Sequence, residues 1–234
     1  MPVITVSNQF GAGGPEVAKE LAKRLGVDYV DKEIIHRVAL EVNVPDEEVE
    51  EFEAEHHNKL KSFFSTIFDL DALKKKAKVR EDALSDARYD DRDKIPYHYR
   101  VDGWIDGDIY KQMVIKIVSS LGQRRGVIVV GRGGQCILKE NPRTLHVRFV
   151  AAFEDRVAWT AERRGMSKEQ ARDFVHKIDA RSQDYLRFYF DCDPDQPTLY
   201  HITLNTSKLG LDRCTDILEA LARDVAGSEA AEKA

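Results

Sequence analysis

Apolar residues fall along this chain in two alternating rhythms. Val3-Ile4-Thr5-Val6 is a short β-branched run and reads as a buried strand. A glycine-rich stretch follows, Ser7-Asn8-Gln9-Phe10-Gly11-Ala12-Gly13-Gly14. Val17, Leu21 and Leu25 then recur at helical spacing, which predicts a helix over Glu16–Leu25. A short strand near Val27–Val30 leads to another helix from about Lys32. Residues 41–108 lose the rhythm. An acidic run at 46–51 and a basic run at 74–78 flank the apolar patch Phe63-Phe64-Ser65-Thr66-Ile67-Phe68, and this part reads as helices with loops. From Ile109 the alternation returns, with Ile109, Met113, Ile117 and Leu121 on one helical face. Strands are expected at Val127–Val130, Leu145–Val150 and His201–Leu204, and helices at Glu154–Arg164 and Leu211–Val225. Ser167 with Gln170 three residues on predicts a capped helix start.

Strands separated by helices imply a parallel sheet covered on both faces. The expectation is an α/β fold with five parallel strands, near residues 3–6, 28–30, 127–131, 145–150 and 200–205. The glycine-rich loop should sit at the carboxyl end of the first strand, where open α/β sheets bind ligands. Residues 41–108 are expected to form a helical subdomain beside that edge. From Gly227 the chain turns small and polar and reads as a flexible tail.

Composition narrows the class. With 234 residues, the chain suits one large domain or a core with an inserted subdomain. A net charge of −5 argues against an extended nucleic-acid footprint. No apolar run is long enough to span a membrane, and the first residues read as a strand, not a leader peptide. Cys136, Cys192 and Cys214 are far apart and form no Cys-x-x-Cys pair, so they read as reduced cysteines of a cytoplasmic protein.

The candidate chemistry sits in the loop. Backbone amides of a glycine-rich turn and the N-terminus of the helix behind it attract phosphate. Two phosphate motifs compete. Gly11 and Gly13 begin a dinucleotide fingerprint, but its third glycine falls on Glu16, and four residues separate Val6 from Gly11. A P-loop tolerates that length. In its frame Asn8 takes the place of the first glycine, where it could adopt a left-handed conformation. Gly14 and Pro15 stand where lysine and a hydroxyl residue would continue. Asn8, Gly11, Ala12, Gly13 and Gly14 are thus candidate phosphate-binding residues. A purely structural turn is the alternative.

Taken in order, the segments resemble bacterial cytidylate kinases, and more closely the divergent cytidylate-kinase-like proteins, over nearly the whole chain. Strand 3–6 and the loop lie where that family has its P-loop. Val30-Asp31-Lys32-Glu33-Ile34-Ile35-His36-Arg37 resembles its acceptor segment. Val129-Val130-Gly131-Arg132-Gly133 resembles its strand-end Gly-Arg-Asp, and the stretch from Asp179 to Arg187 its lid. The resemblance implies a three-layer P-loop NTPase fold with a helical nucleotide-binding subdomain and a short lid, taken as a single domain over 1–226, with 41–108 on the acceptor side and the lid at 165–198. It implies ATP and Mg²⁺ as cofactors and a nucleoside monophosphate, CMP or dCMP, as acceptor. Arg132, Arg181 and Arg187 would then be catalytic, and Asp31 and Arg37 would bind nucleotide. No polymeric nucleic acid, membrane or resident metal is expected, and oligomeric state is not readable.

Simpler roles exist for each residue. Asp31 could cap the helix after it. Arg132 could pair with a surface acid, and Arg37, Arg181 and Arg187 could lie on solvated faces. His56 and His57 diverge on a helix and do not suggest a metal site. Phe63, Phe64 and Phe68 read as core or interface. The missing lysine, and Gly133 in place of an acid, predict slow transfer or a silent nucleotide-binding module. A phosphotransferase for another small acceptor is the third reading.

Overall fold

The computed structural model describes residues 1–31 and 107–231. Residues 1–32 with 121–234 form one compact unit, and residues 33–120 a second. Arg37, His56, His57, Phe63, Phe64, Phe68 and the proposed subdomain 41–108 lie outside the described residues, apart from the start of one helix.

The first unit is built on five parallel strands in the order β2-β3-β1-β4-β5. These are β1 (Val3–Asn8), β2 (Asp28–Val30), β3 (Val127–Val130), β4 (Thr144–Val150) and β5 (Ile202–Asn205). The helices are α1 (Gly14–Leu25), α2 (Gly107–Gln123), α3 (Gly134–Ile137), α4 (Phe153–Arg164), α5 (Lys168–Phe190), α6 (Thr206–Leu209) and α7 (Leu211–Ala231). The predicted strands and their parallel sense are all present. So is the Ser167 cap, whose hydroxyl accepts from the Gln170 amide while the Gln170 side chain accepts from the Ser167 amide. The last helix continues past Val225 to Ala231, because alanine and glutamate at 226–231 sustain a helix despite Gly227. In the second unit the described part is the helical segment 107–120, where Met113, Val114, Ile117 and Val118 are buried.

Side chains alternate across a strand, so β1 and β4 each serve two layers. On one face Ile4, Val6, Leu145, Val147 and Phe149 pack with Val17 and Leu21 of α1 and with Cys214, Leu218 and Ala222 of α7. Their four-residue spacing puts the α7 set on one helical stripe. The other face carries Thr5, Ser7, Thr144, His146 and Arg148, all buried and polar. Burial of polar groups is costly without partners, and Thr5, Ser7, His146 and Arg148 each have one. Thr5 Oγ1 lies 2.6 Å from His146 Nδ1. Arg148 donates to Ser7 Oγ at 3.1 Å and to Asp195 at 2.5 Å, and its guanidinium lies over the Tyr200 ring. Among the described residues, no helix is long and apolar enough to cross a membrane.

Cys136 and Cys192 form a disulfide between α3 and the segment after α5, with Cα atoms 6.8 Å apart. This overturns their reading as reduced residues. They are 56 positions apart in sequence, and only the packing of the end of α5 against α3 brings them together. Cys214 is a buried free thiol, and burial raises its pKa.

Candidate functional site

Three adjacent strands end on one edge, and each delivers a predicted site residue there. Asp31 follows β2, Gly131-Arg132-Gly133 follows β3, and the glycine loop follows β1. Neighbouring strands lie about 4.8 Å apart, so these segments form one row.

The loop is held from three directions. The Gln9 amide donates to the Phe149 carbonyl at 3.0 Å, and the Gln9 side chain accepts from the Ala151 amide at 3.1 Å. The Phe10 amide donates to Asp179 Oδ1 at 2.8 Å. The Thr206 hydroxyl donates to the Ala12 carbonyl at 2.9 Å. Arg156 braces this arrangement: one nitrogen donates both to the Phe10 carbonyl at 3.1 Å and to Asp179 Oδ2 at 2.5 Å. Arg156 is 5% exposed, so its charge is matched inside the protein by Asp179.

This bracing sets the backbone. Gly11 and Gly13 adopt left-handed φ values of 80° and 79°, and Gly13 caps α1. Among the described residues, the amides of Gly11, Gly13 and Gly14 have no hydrogen-bond acceptor. With the α1 N-terminus behind them, they make a ready site for an anion. Asn8 departs from expectation. It is the last residue of β1 in extended conformation, not left-handed, and its side-chain amide donates to the Gln9 carbonyl at 2.8 Å. The left-handed positions fall on the glycines, where they carry no Cβ penalty.

Gly14 is also more than a missing lysine. A Cβ there would lie 2.8 Å from the Asn8 Cβ and 3.1 Å from the Phe149 ring. A P-loop has glycine at the Asn8 position and lysine at the Gly14 position. Here asparagine stands at the first position and glycine at the second, and the close approach of Asn8 to Gly14 leaves room for a side chain at only one of them.

Arg132 is held in a strained turn. Its φ is 52°, between left-handed Gly131 and Gly133. A non-glycine residue rarely sits there, and such strain concentrates at functional sites. The Gly131 amide is tied to the Val6 carbonyl at 2.9 Å, which fixes the turn beside the loop. The guanidinium lies 5.6 Å from the Tyr185 ring centroid on α5. Arg181 is half-buried one helical turn before Tyr185, so the two share a face. Arg187 lies on another face, exposed, 3.9 Å from Asp193. Arg132 and Arg181 are therefore brought toward one side of α5, whereas Arg187 is directed to the segment beyond it.

The residues that brace the loop were not singled out as site residues in the sequence. Asp179 acts over 169 positions, and Arg156 over 146. Around the rim, Arg163 pairs with Glu16 of the first turn of α1, and Arg164 stacks on Phe174 and Phe10. Among the described residues, no cluster of three or more metal-ligating side chains exists.

The parallel sheet, the amide cradle on its central strand and the arginine turn on the next one define the class: an α/β protein with a P-loop kinase fold. The family model of the cytidylate kinase-like family matches residues 3–208, and the chain belongs to that family. Among solved structures it is similar to an uncharacterized protein from Eubacterium ventriosum, at 16% identity and a TM-score of 0.62, over 95% of this chain and 99% of that one. Shikimate kinase from Bacteroides thetaiotaomicron aligns at 10% identity and a TM-score of 0.47, over 95% and 98%. Shikimate kinase from Acinetobacter baumannii, in complex with shikimate, aligns at 15% and 0.44, over 96% and 94%. No curated protein matches the sequence.

Proposed function

We propose that this protein transfers a phosphoryl group from ATP to a nucleoside monophosphate, with CMP or dCMP the favoured acceptor, and works in the cytoplasm where ATP is made. Membership of a kinase-like family supports a nucleotide-dependent phosphotransferase. The observation that carries the reading is Arg132, held at φ 52° on the strand beside a loop whose glycine amides are left for a ligand.

Phosphoryl transfer asks the protein mainly for position and charge. The amides of Gly11, Gly13 and Gly14 and the α1 N-terminus bind donor phosphate. Arg132, one strand over, neutralises charge between donor and acceptor, and its guanidinium fork matches phosphate oxygens in pairs. Arg181 approaches from α5. Asp31, at the end of β2, accepts hydrogen bonds from the acceptor or holds a water of the metal. Mg²⁺ enters with ATP as part of the substrate; Pro15 offers no hydroxyl, and among the described residues there is no ligand cluster. Arg187 acts on the family's pattern only if α5 turns or its pair with Asp193 opens.

A second reading has its own observation. The loop has no lysine, and the first turn of α1 instead carries Glu16, already paired with Arg163. This favours a silent nucleotide-binding module. Steady-state assays with MgATP and each nucleoside monophosphate decide between them. We expect CMP turnover below the usual enzyme range of about 1–10³ s⁻¹. Arg132→Ala should lower kcat/KM by roughly 10–100-fold, the worth of one charge-assisted contact, while phosphate still binds the loop. Nucleotide binding without turnover selects the silent module. Turnover only with a different acceptor selects another phosphotransferase.

A further inference from the structure

The disulfide lies where the candidate site is assembled. Helix α5 spans both of the site's turns. Asp179, near its middle, holds the Phe10 amide of the glycine loop. Phe190, at its end, packs on the arginine turn so closely that a Cβ on Gly133 would lie 2.6 Å from the ring. Directly after α5, Asp191 reverses the chain at φ 48°, and Cys192 then bonds Cys136, which follows Gly133 by three residues. The bridge therefore joins the arginine turn covalently to the end of the one helix that also holds the loop.

We propose that the Cys136–Cys192 bridge is a site of reversible thiol–disulfide exchange that locks α5 to the arginine turn, and that its reduction by a cellular dithiol releases that end of α5. The regulatory part of this inference rests on the function proposed above. In the cytoplasm a disulfide is a transient element, not a permanent staple. The two sulfurs are not equally accessible. Cys136 is partly exposed, whereas Cys192 is 7% exposed. The thiolate of the dithiol attacks Cys136 Sγ. The S–S bond breaks, and Cys192 leaves as a thiolate that takes up a proton. The second thiol of the reductant then attacks the mixed disulfide and releases Cys136 as a thiol. Two electrons and two protons pass to the protein, and the dithiol leaves as its own disulfide. With the bridge open, the end of α5 keeps the Phe190 contact, the Asp191 turn and the packing of Tyr185, Leu186 and Tyr189 but loses its covalent tie to the arginine turn, and nucleotide exchange beneath that helix becomes easier.

The full chain, purified without reductant, is compared with the same protein after dithiothreitol and with Cys136→Ser. Maleimide mass-tagging after unfolding should add one tag to the oxidised form, on Cys214, and three to the reduced form. Three tags on the oxidised form would refute the bridge. Hydrogen exchange of residues 131–137 and 186–196 should quicken roughly tenfold on reduction, and Cys136→Ser should match the reduced protein without reductant. Unchanged exchange would show a passive crosslink and overturn the latch. With MgATP and CMP, turnover should rise several-fold on reduction in the natural chain and stay level in Cys136→Ser. Equal turnover in both redox states would remove the regulatory role. Absence of turnover in every form, with exchange still redox-dependent, would leave the latch standing and overturn the proposed function.

Discussion

Two turns leave neighbouring strands on the same edge, and both are rich in glycine, yet they are built on opposite terms. In the loop after β1, every left-handed position is a glycine. The function proposed above assigns recognition there to backbone amides, which any anion of the right shape satisfies. In the turn after β3, the middle of three left-handed positions is Arg132. There the backbone bears a cost so that one charged side chain stands at a fixed place. The proposed function uses the first turn for its shape and the second for its charge. The first turn holds no lysine, and the second holds an arginine.

Four measurements separate these terms. The largest effect is expected at Asp179, which braces the loop and pairs with Arg156. Asp179→Ala removes the acceptor of the Phe10 amide and leaves Arg156 buried without its counter-charge. Breaking such a pair costs about 4 kcal/mol. Chemical unfolding should show this loss, and hydrogen exchange should rise at residues 8–14 more than at 131–134.

Acid should act on the sheet beneath both turns. Burial, and then the nearby His201, lower the His146 pKa from 6.5 to about 4. The folded protein thus holds a neutral imidazole that the unfolded chain would protonate. Stability is full above pH 6.5 and falls as the pH drops toward 4, by about 3 kcal/mol in all. Urea unfolding at stepped pH should trace the decline, and His146→Gln should flatten its slope.

The third test addresses the close approach of Asn8 and Gly14. Gly14→Lys alone forces its Cβ against Asn8 and should cost about 2 kcal/mol. Asn8→Gly removes that obstruction, so the double variant should recover most of the loss. Costs that simply add would show the two positions to be independent.

The smallest effect is at Arg132. Arg132→Gly relieves the left-handed strain, so it should raise stability by up to about 1 kcal/mol while nucleotide affinity falls. Calorimetry of unfolding and of binding, made on the same variant, should move in opposite directions. Movement together would mean that the turn is shaped for packing, not for charge.

Much of this contrast was legible in the sequence. The strand–loop–helix at 3–25 is readable from local patterns, because β-branched runs, period-3.6 spacing and glycine chemistry are local facts, whereas the strand-end arginine stands out through the family resemblance. The strand set and its parallel sense followed from the same alternation. What could not be read is what crosses the chain. Nothing adjacent to Asp179 marks it as the brace of a loop that lies 169 residues earlier. The same is true of Cys136 and Cys192. Asn8 was misread for a subtler reason. Its chemistry permits a left-handed turn, but pairing opposite Phe149 continues β1 through it. The compatibility of Asn8 with Gly14 is a steric fact about two positions, invisible to any reading of one.

The anchors of the loop also set a timetable for synthesis. Its first residues leave the ribosome early, but its partners Phe149, Asp179 and Thr206 follow much later. At about 5–20 residues per second, the nascent chain waits roughly 10–40 s before Thr206 exists to hold Ala12. Until then β1, the central strand, lacks both flanking neighbours for much of the time. The glycine loop is thus made before the residues that anchor it and is among the last parts of this unit to be finished. A ribosome stalled anywhere before residue 206 carries a chain that cannot yet complete it.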